Sequence, residues 1–175
     1  EDNTVVLGYG LNFTRNSRTN EIDYVEVFSD GFLSVEAFSS LGCRLGPKTG
    51  QQVKEVLPLF LTAEHFERGV AFLKKVIARM YPSVPFEEGV VALLCAALNT
   101  LTVLIADKGV AMSQATVAAY NQLHRLFLAV CSYFPQVQSL VDAKVARFVA
   151  GRRSKRDVPS LGDFIPLLLV SRTVT

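Results

Sequence analysis

A run of eighteen consecutive uncharged residues, 89–106 (GVVALLCAALNTLTVLIA), constrains the fold of this chain more than any other feature. A membrane-spanning helix needs about 20 predominantly apolar residues, so the run is borderline in length. Asn99, Thr100 and Thr102 also add three polar side chains to its second half. A central helix of a soluble bundle is apolar on all sides because other elements surround it. We therefore predict that residues 89–106 form the core helix of a soluble fold, with a membrane span as the alternative.

Length and composition indicate one domain with a sizeable core. The chain has 175 residues, of which 50% are hydrophobic and 19% charged, and a domain of this size buries about 70% of the surface that its unfolded chain exposes. The chain begins without a methionine and ends just after an apolar run, so we expect it to be excised from a larger protein. We predict a single domain, 1–175, made of a β-rich part (4–61), a helical part (62–151) and a basic loop with a hydrophobic tail (152–175).

The N-terminal part has the pattern of a β-hairpin. Apolar residues alternate along residues 5–14, with Gly8, Gly10 and Asn12 on the other, nearly bare face. A polar turn at 16–20 (NSRTN) leads to a β-branched and aromatic strand at 22–28, which the Ser-Asp-Gly sequence at 29–31 should end. Further on, we predict a short helix from Ser34 to Leu41 and a buried edge strand at 56–61, where Pro58 cannot donate to a ladder.

The remainder is helical. Thr62 should cap a first helix with a buried stripe that runs from Phe66 to Met80. The apolar run forms the second, over 86–106. Ser113 should cap a third helix through Phe134. One side of that helix carries Val117, Tyr120, His124, Phe127, Leu128 and Cys131. Pro135 can begin a fourth helix, which Gly151 ends.

These elements predict an α+β fold. The N-terminal hairpin and one short strand pack on a bundle of about four main helices around the buried central helix. The apolar tail at 164–170 (FIPLLLV) must also be covered, although Pro166 restricts a regular helix there. We expect it to pack on the bundle, with docking to a segment beyond this chain as the alternative.

Cysteine usage favours a reducing compartment. The three cysteines, Cys43, Cys95 and Cys131, are too few and too scattered for a disulfide framework, and an odd number leaves one unpaired. We therefore expect a cytoplasmic location. The glycosylation sequon at 12–14 argues against it but falls inside a predicted strand, so we give it little weight.

The sequence contains no recognisable motif of a catalytic or cofactor site. Gly8-x-Gly10 lacks the third glycine and the following helix of a dinucleotide site, and no phosphate loop or zinc-ligand spacing is present. The sequence therefore predicts no catalytic residue, metal or cofactor.

The histidines and the loop cysteine have simpler interpretations. We expect His65 to be solvated or to cap its helix. His124 lies on the same helical side as Cys131, but we expect a hydrogen-bonded core histidine. Cys43 lies beside Arg44, which favours a thiolate, yet no oriented base accompanies it, so we expect an ordinary exposed cysteine.

A basic segment is the best candidate for a binding site. It comprises Lys144, Arg147, Arg152, Arg153, Lys155 and Arg156. The chain has 18 basic and 16 acidic residues, so removing the four bases of the loop at 152–156 leaves 14 against 16. Because the loop lacks interleaved aromatic residues, we do not expect a nucleic-acid partner. A solvated connector after a helix C-terminus is the structural alternative.

We expect a non-catalytic protein-interaction or scaffolding module of a larger intracellular protein. Its partner would be another protein or flanking domains of the parent chain. The alternatives are a thiol-dependent enzyme that uses Cys43, and a module that binds an anionic ligand or a membrane surface through the basic loop.

Overall fold

A computed structural model describes residues 7–34, 49–60, 62–107, 114–151 and 161–173. In these parts the chain forms three strands and then five helices, which confirms the predicted α+β class. The strands are β1 (Leu7–Arg15), β2 (Ile22–Ser34) and β3 (Glu55–Pro58). The helices are α1 (Ala63–Met80), α2 (Phe86–Asp107), α3 (Gln114–Tyr133), α4 (Pro135–Val149) and α5 (Leu161–Val170). Ser34, predicted to cap a short helix, instead ends β2. The body of that helix up to Leu41, Cys43, the cap at Ser113 and the loop at 152–156 lie outside the described residues.

The strands form one antiparallel sheet in the order β2-β1-β3. The polar turn predicted at 16–20 joins β1 to β2, and Asn20 adopts a left-handed φ of 60° there. The side-chain oxygen of Asn16 accepts hydrogen bonds from the backbone N–H groups of Arg18 and Thr19 at 2.9 and 3.2 Å. Asparagine supports such turns because its short side chain bonds to the backbone two residues further on.

Strand β2 is longer than predicted. Pairing continues beyond Phe28, which lies opposite Gly10, to Leu33 and Ser34, which lie opposite Gly8 and Leu7. Between these pairs one residue of β1, Tyr9, faces the four residues 29–32 of β2. The Ser-Asp-Gly sequence therefore forms an irregularity within the strand and does not end it, because turn-forming residues are also accommodated in bulges.

Both faces of the sheet are buried in its middle. Tyr9 and Leu11 join the main core together with Leu57, as the alternation predicts. The opposite face was expected to be nearly bare, but there Asn12 is fully buried and Phe28 and Val56 are also buried. Gly8 and Gly10 therefore lie on a face that other residues cover, and the small side chains there do not indicate exposure to solvent.

Helix α2 is the central element. It contacts β2 and all four other described helices, and Leu94 and Leu98 are fully buried. The hydroxyl of Thr100 donates a buried hydrogen bond of 2.6 Å to the carbonyl of Val25 in β2. Length and composition alone would allow α2 to cross a membrane, but 56% of its most apolar window is buried inside the protein. This burial matches the predicted core helix, although Val103 near the end of α2 is 43% exposed.

Side-chain contacts are present at both ends of helix α1, and the one at its start differs from the predicted cap. Thr62 occupies the N-cap position, but its hydroxyl lies 2.7 Å from Nδ1 of His65 and makes no capping bond to the backbone. At the other end, the guanidinium of Arg15 donates to the carbonyl oxygen of Met80 at 2.7 Å. A cation at this position complements the carbonyl end of the helix dipole.

The buried side of helix α3 overlaps the predicted one only in part. Phe127 and Cys131 are buried as expected, whereas Leu128 is 43% exposed. The other buried residues are Thr116, Ala119, Leu123, Leu126 and Val130. Spacings of three and four residues are compatible with more than one helical side, so the pattern alone does not fix the rotation of the helix.

The apolar tail packs on the bundle as α5, which runs through Pro166. The ring of Phe164 lies 3.9 Å, centroid to centroid, from the ring of Phe148 in α4. Gly162 is so close to α2 that a Cβ there would lie 1.9 Å from Oδ1 of Asn99. After α5, Asp142 of α4 accepts hydrogen bonds from the backbone N–H of Arg172 and the hydroxyl of Ser171, both at 2.8 Å.

Candidate functional site

Two of the six predicted basic residues lie in the described parts. Lys144 and Arg147 are on α4, where both side chains are exposed, and a separation of three residues makes them neighbours on the helix surface. Neither forms an ion pair with another described residue. The remaining four, Arg152, Arg153, Lys155 and Arg156, lie outside the described residues, as does Cys43.

The described cysteines lack the properties of a nucleophile. Cys95 and Cys131 form no disulfide bond with a described residue, and both are buried. Burial, reinforced by the negative charge of Asp142, raises the pKa of Cys131 to about 11. The thiolate is the reactive and metal-binding form, so Cys131 is a protonated apolar side chain at neutral pH.

The two histidines also offer no catalytic arrangement. Nδ1 of His65 is bonded to Thr62, so this residue closes the first turn of α1. Nε2 of His124 is buried without a hydrogen-bond partner, so the prediction of a hydrogen-bonded core histidine is wrong for this atom. Among the described residues, no group of three His, Cys, Asp or Glu side chains could hold a metal ion.

A buried polar network lies on the second face of the sheet. The amide of Asn12 donates to the hydroxyl of Thr49, which donates in turn to a carboxylate oxygen of Glu26, each bond being 2.6 Å long. Asn12 and Glu26 are paired across β1 and β2, so the network holds Thr49 against the sheet. It also leaves the amide of Asn12, in the sequon, fully buried.

Five aromatic side chains form a continuous row that we call the ring patch: Phe60, Phe66, Tyr133, Phe134 and Phe86. In that order, successive ring centroids are 4.7, 4.1, 5.1 and 5.2 Å apart. The rings are tilted or edge-to-face, the arrangements that aromatic quadrupoles favour. The ammonium of Lys74 lies 5.8 Å from the ring centroids of both Phe86 and Phe134.

The ring patch forms where the ends of several elements meet. Phe60 follows β3, and Phe86 is the first residue of α2. Tyr133 ends α3, and Phe134 is the N-cap residue of α4. Gly69 of α1 allows the approach of Phe60, because a Cβ at Gly69 would lie only 2.2 Å from Cε1 of that ring.

The ring patch is apolar surface that the fold leaves accessible. Tyr133 is 55% exposed, and the four phenylalanines are half-buried. Aromatic pairs contribute roughly 0.5–1.5 kcal/mol beyond area burial, so the row also has a stabilising role.

A second surface feature, which we call the basic stripe, comprises Arg68, Lys75, Arg79, Arg15 and Lys54. Arg68 and Lys75 lie 6.0 and 5.5 Å from the ring centroid of Phe72. Arg15 and Lys54 lie 5.2 and 4.7 Å from that of Phe13. Arg79 lies between these two groups and binds Glu55 through two hydrogen bonds of 2.6 Å.

Neither surface is apparent in the sequence. The apolar spacing predicts that Phe66 belongs to the buried stripe of α1, but it is half-buried within the ring patch. The sequence does show that Phe60, Phe86, Tyr133 and Phe134 all lie at the ends of predicted elements. This position alone does not predict the ring patch, because the rings touch only if the fold brings those ends together. The basic stripe draws on β1, on Lys54 just before β3 and on α1, so no local cluster of charge marks it in the sequence.

The chain was compared with protein-family models, curated proteins and solved structures, and none of the three comparisons found a match.

Proposed function

We propose that this domain is a non-catalytic protein-interaction module, with the ring patch as its contact surface. The observation that supports the proposal most directly is the 55% exposure of Tyr133 within a row of five contacting rings. Tyrosine and phenylalanine are enriched at protein interfaces, and tyrosine is among the residues that contribute most binding energy.

The geometry of the row favours binding at low entropic cost. Tyr133 contacts Phe66 on one side and Phe134 on the other, at 4.1 and 5.1 Å between centroids. A side chain held between two rings loses little rotamer freedom when a partner covers it. Lys74 supplies a cation at the edge of the apolar surface, and a polar rim around an aromatic centre is typical of protein interfaces.

The state of the described cysteines supports the same proposal. Cys131 is held as a protonated thiol, and Cys95 is also buried. Buried cysteines that form no disulfide bond fit a protein from a reducing compartment, and we propose an intracellular location on this basis.

The proposal can be tested by site-specific photocrosslinking. A benzophenone amino acid is placed at position 133 in the ring patch or at position 169, because Leu169 of α5 is also an exposed apolar residue, at 49%. We expect position 133 to crosslink a distinct protein from a cell extract and position 169 not to do so. The captured protein is then purified and its affinity for each variant is measured.

The expected affinities follow from the energy of an aromatic hot spot. Tyr133→Ala should weaken binding by about 2 kcal/mol or more, which is roughly thirtyfold. Leu169→Ala should change the affinity less than about threefold, because Leu169 is outside the ring patch. Equal affinities of wild type and Tyr133→Ala for the captured protein would contradict the proposal.

A further inference from the structure

We propose that the basic stripe is a second binding surface, and that its partner is an acidic, extended protein segment. The inference goes beyond the proposed function because it concerns a different side of α1. Phe72 and Lys74 are two residues apart and therefore about 200° apart around the helix axis. The stripe and the ring patch thus flank the buried face of α1 on opposite sides.

The five cations form one continuous surface. Arg68 and Lys75 share the ring of Phe72, and Arg79 follows Lys75 by four residues on the same helical side. The guanidinium of Arg15 lies 3.3 Å from the carbonyl oxygen of Arg79, which connects α1 to β1. Arg15 and Lys54 in turn share the ring of Phe13. Each neighbouring pair is therefore linked by a contact or by helical spacing.

The cations are held in place before any partner binds. A cation over an aromatic face is attracted by the ring quadrupole. Lys54 has a second constraint, because its ammonium donates a hydrogen bond of 2.8 Å to the carbonyl of Phe13. Arg15 is also fixed by its bond to Met80. Long basic side chains normally lose rotamer entropy on binding, and these restraints reduce that loss.

The chemistry of the stripe favours carboxylates. Arg79 binds the carboxylate of Glu55 through both of its oxygens, which is the arrangement that a guanidinium matches. Because Glu55 already neutralises Arg79, a partner would be bound by the other cations of the stripe. The faces of Phe13 and Phe72 that the cations cover are not free for stacking with nucleobases, as a single-stranded nucleic-acid site requires. The formal net charge of the chain is only +2, which is low for a nucleic-acid-binding domain.

The dimensions of the stripe fit a short extended segment. Arg68 and Arg79 are eleven residues apart on α1, which corresponds to about 16 Å along the helix. An extended chain advances about 3.3 Å per residue, so roughly five residues span this distance. Arg15 and Lys54 extend the surface beyond the end of α1. An acidic segment of about six to eight residues would therefore contact the whole stripe.

The test uses a fluorescein-labelled peptide of eight glutamates and the complete chain, with binding followed by fluorescence anisotropy. We expect saturable binding that weakens as the salt concentration rises from 50 to 300 mM, because exposed charges are screened. The double variant Lys54→Gln/Lys75→Gln should weaken binding by roughly tenfold, since it removes two cations of the stripe.

A matched control separates the stripe from the net charge of the chain. The double variant Lys144→Gln/Arg147→Gln also removes two exposed cations, but from α4, and it should bind the peptide as wild type does. Lys54→Arg/Lys75→Arg, which keeps the charge, should retain binding within about threefold. Tyr133→Ala should leave peptide binding unchanged, so failure of this inference is distinguishable from failure of the proposed ring-patch interface.

Three outcomes would overturn the inference. The first is absence of binding by wild type, and the second is equal weakening by the two charge-neutralising double variants. The third is tighter binding of a single-stranded oligonucleotide or of anionic phospholipid vesicles that also depends on Lys54 and Lys75, which would assign the stripe to another class of partner. Thermal melting of each variant, with an unchanged transition, establishes that the fold is retained.

Discussion

The buried middle of α2 and the ring patch are both built from apolar side chains, but their environments are opposite. Leu94 and Leu98 in α2 are fully buried, whereas Tyr133 in the ring patch is 55% exposed. Burial of apolar area contributes about 25 cal/mol per Å², so side chains in α2 have already contributed most of what they can to folding. The exposed area of Tyr133 remains available to a partner. The apolar content of a segment therefore does not tell whether it stabilises the core or forms a contact surface. The burial of each side chain in the folded protein distinguishes these two roles.

The largest effect should come from truncating the core helix. Leu98→Ala removes a fully buried side chain and should lower the free energy of unfolding by about 2–5 kcal/mol, through lost transfer energy and the cavity that remains. Val103→Ala, in the exposed end of the same helix, is the matched control and should cost less than about 1 kcal/mol. Urea denaturation of both variants measures the difference. Similar losses would remove the distinction between the buried middle and the exposed end of α2.

A smaller effect should follow when the support of the ring patch is disturbed. In Gly69→Ala the new Cβ would meet the ring of Phe60, so the ring must move. Overpacking costs about 1–3 kcal/mol, and the better helix propensity of alanine offsets up to about 1 kcal/mol. We expect a net loss of about 1–2 kcal/mol.

A double-mutant cycle tests the cause of that loss. In a Phe60→Ala background, Gly69→Ala has no ring to displace and should become neutral or stabilising. If Gly69→Ala is equally destabilising in both backgrounds, contact with Phe60 is not its cause.

The hydrogen bonds that Asp142 accepts from the segment after α5 should contribute to the free energy of unfolding in a way that depends on pH. Burial acts to raise the pKa of Asp142, but hydrogen bonds from Ser171, the backbone of Arg172 and Gln138 outweigh it and lower the pKa. A lowered folded-state pKa contributes stability above the ordinary carboxyl value of about 3.9, and that contribution is lost as the pH falls through the folded pKa. Asp142→Asn should cost about 1 kcal/mol at pH 7.

The sign of this effect can be checked by measuring unfolding from pH 7 to pH 2.5. The stability difference between wild type and Asp142→Asn should stay constant down to about pH 4 and then decrease. A difference that grows at low pH would contradict the assigned direction of the pKa shift.

The smallest effect is expected for Tyr133→Phe. This change keeps the ring contacts with Phe66 and Phe134 and removes only a hydroxyl from a mostly exposed side chain, so stability should change by less than about 0.5 kcal/mol. Thermal melting measures this directly. A loss comparable to that of Leu98→Ala would show that the ring patch belongs to the core.

The fold could be predicted from the sequence where the signal is local. The apolar run fixed α2, whose observed bounds, Phe86–Asp107, extend the prediction by one residue. Pro135 begins α4 and Gly151, with a φ of 75°, follows its end, because both residues have narrow backbone preferences. The extension of β2 to Ser34 could not be predicted, since the Ser-Asp-Gly sequence suits a turn and a bulge equally well.

The candidate surfaces could not be predicted, because their members are distant in the sequence. Phe60 and Tyr133 join one row through Phe66, and Lys54 and Arg15 share a ring in β1. Only packing brings these residues together. The sequence instead emphasised Lys144 and Arg147, whose proximity is local and which lie exposed on α4.

The hydrogen bond from Thr100 to Val25 also affects whether a strand from another molecule can join the sheet. In the order β2-β1-β3, strands β2 and β3 are the edges of the sheet within the described residues, and open edges can add a strand from another molecule. On β2, the hydroxyl of the core helix occupies a backbone acceptor, so an incoming strand would have to displace α2 there. On β3, Pro58 has no N–H to donate to an incoming strand. At both of these edges, residues of the fold itself therefore hinder the addition of a further strand.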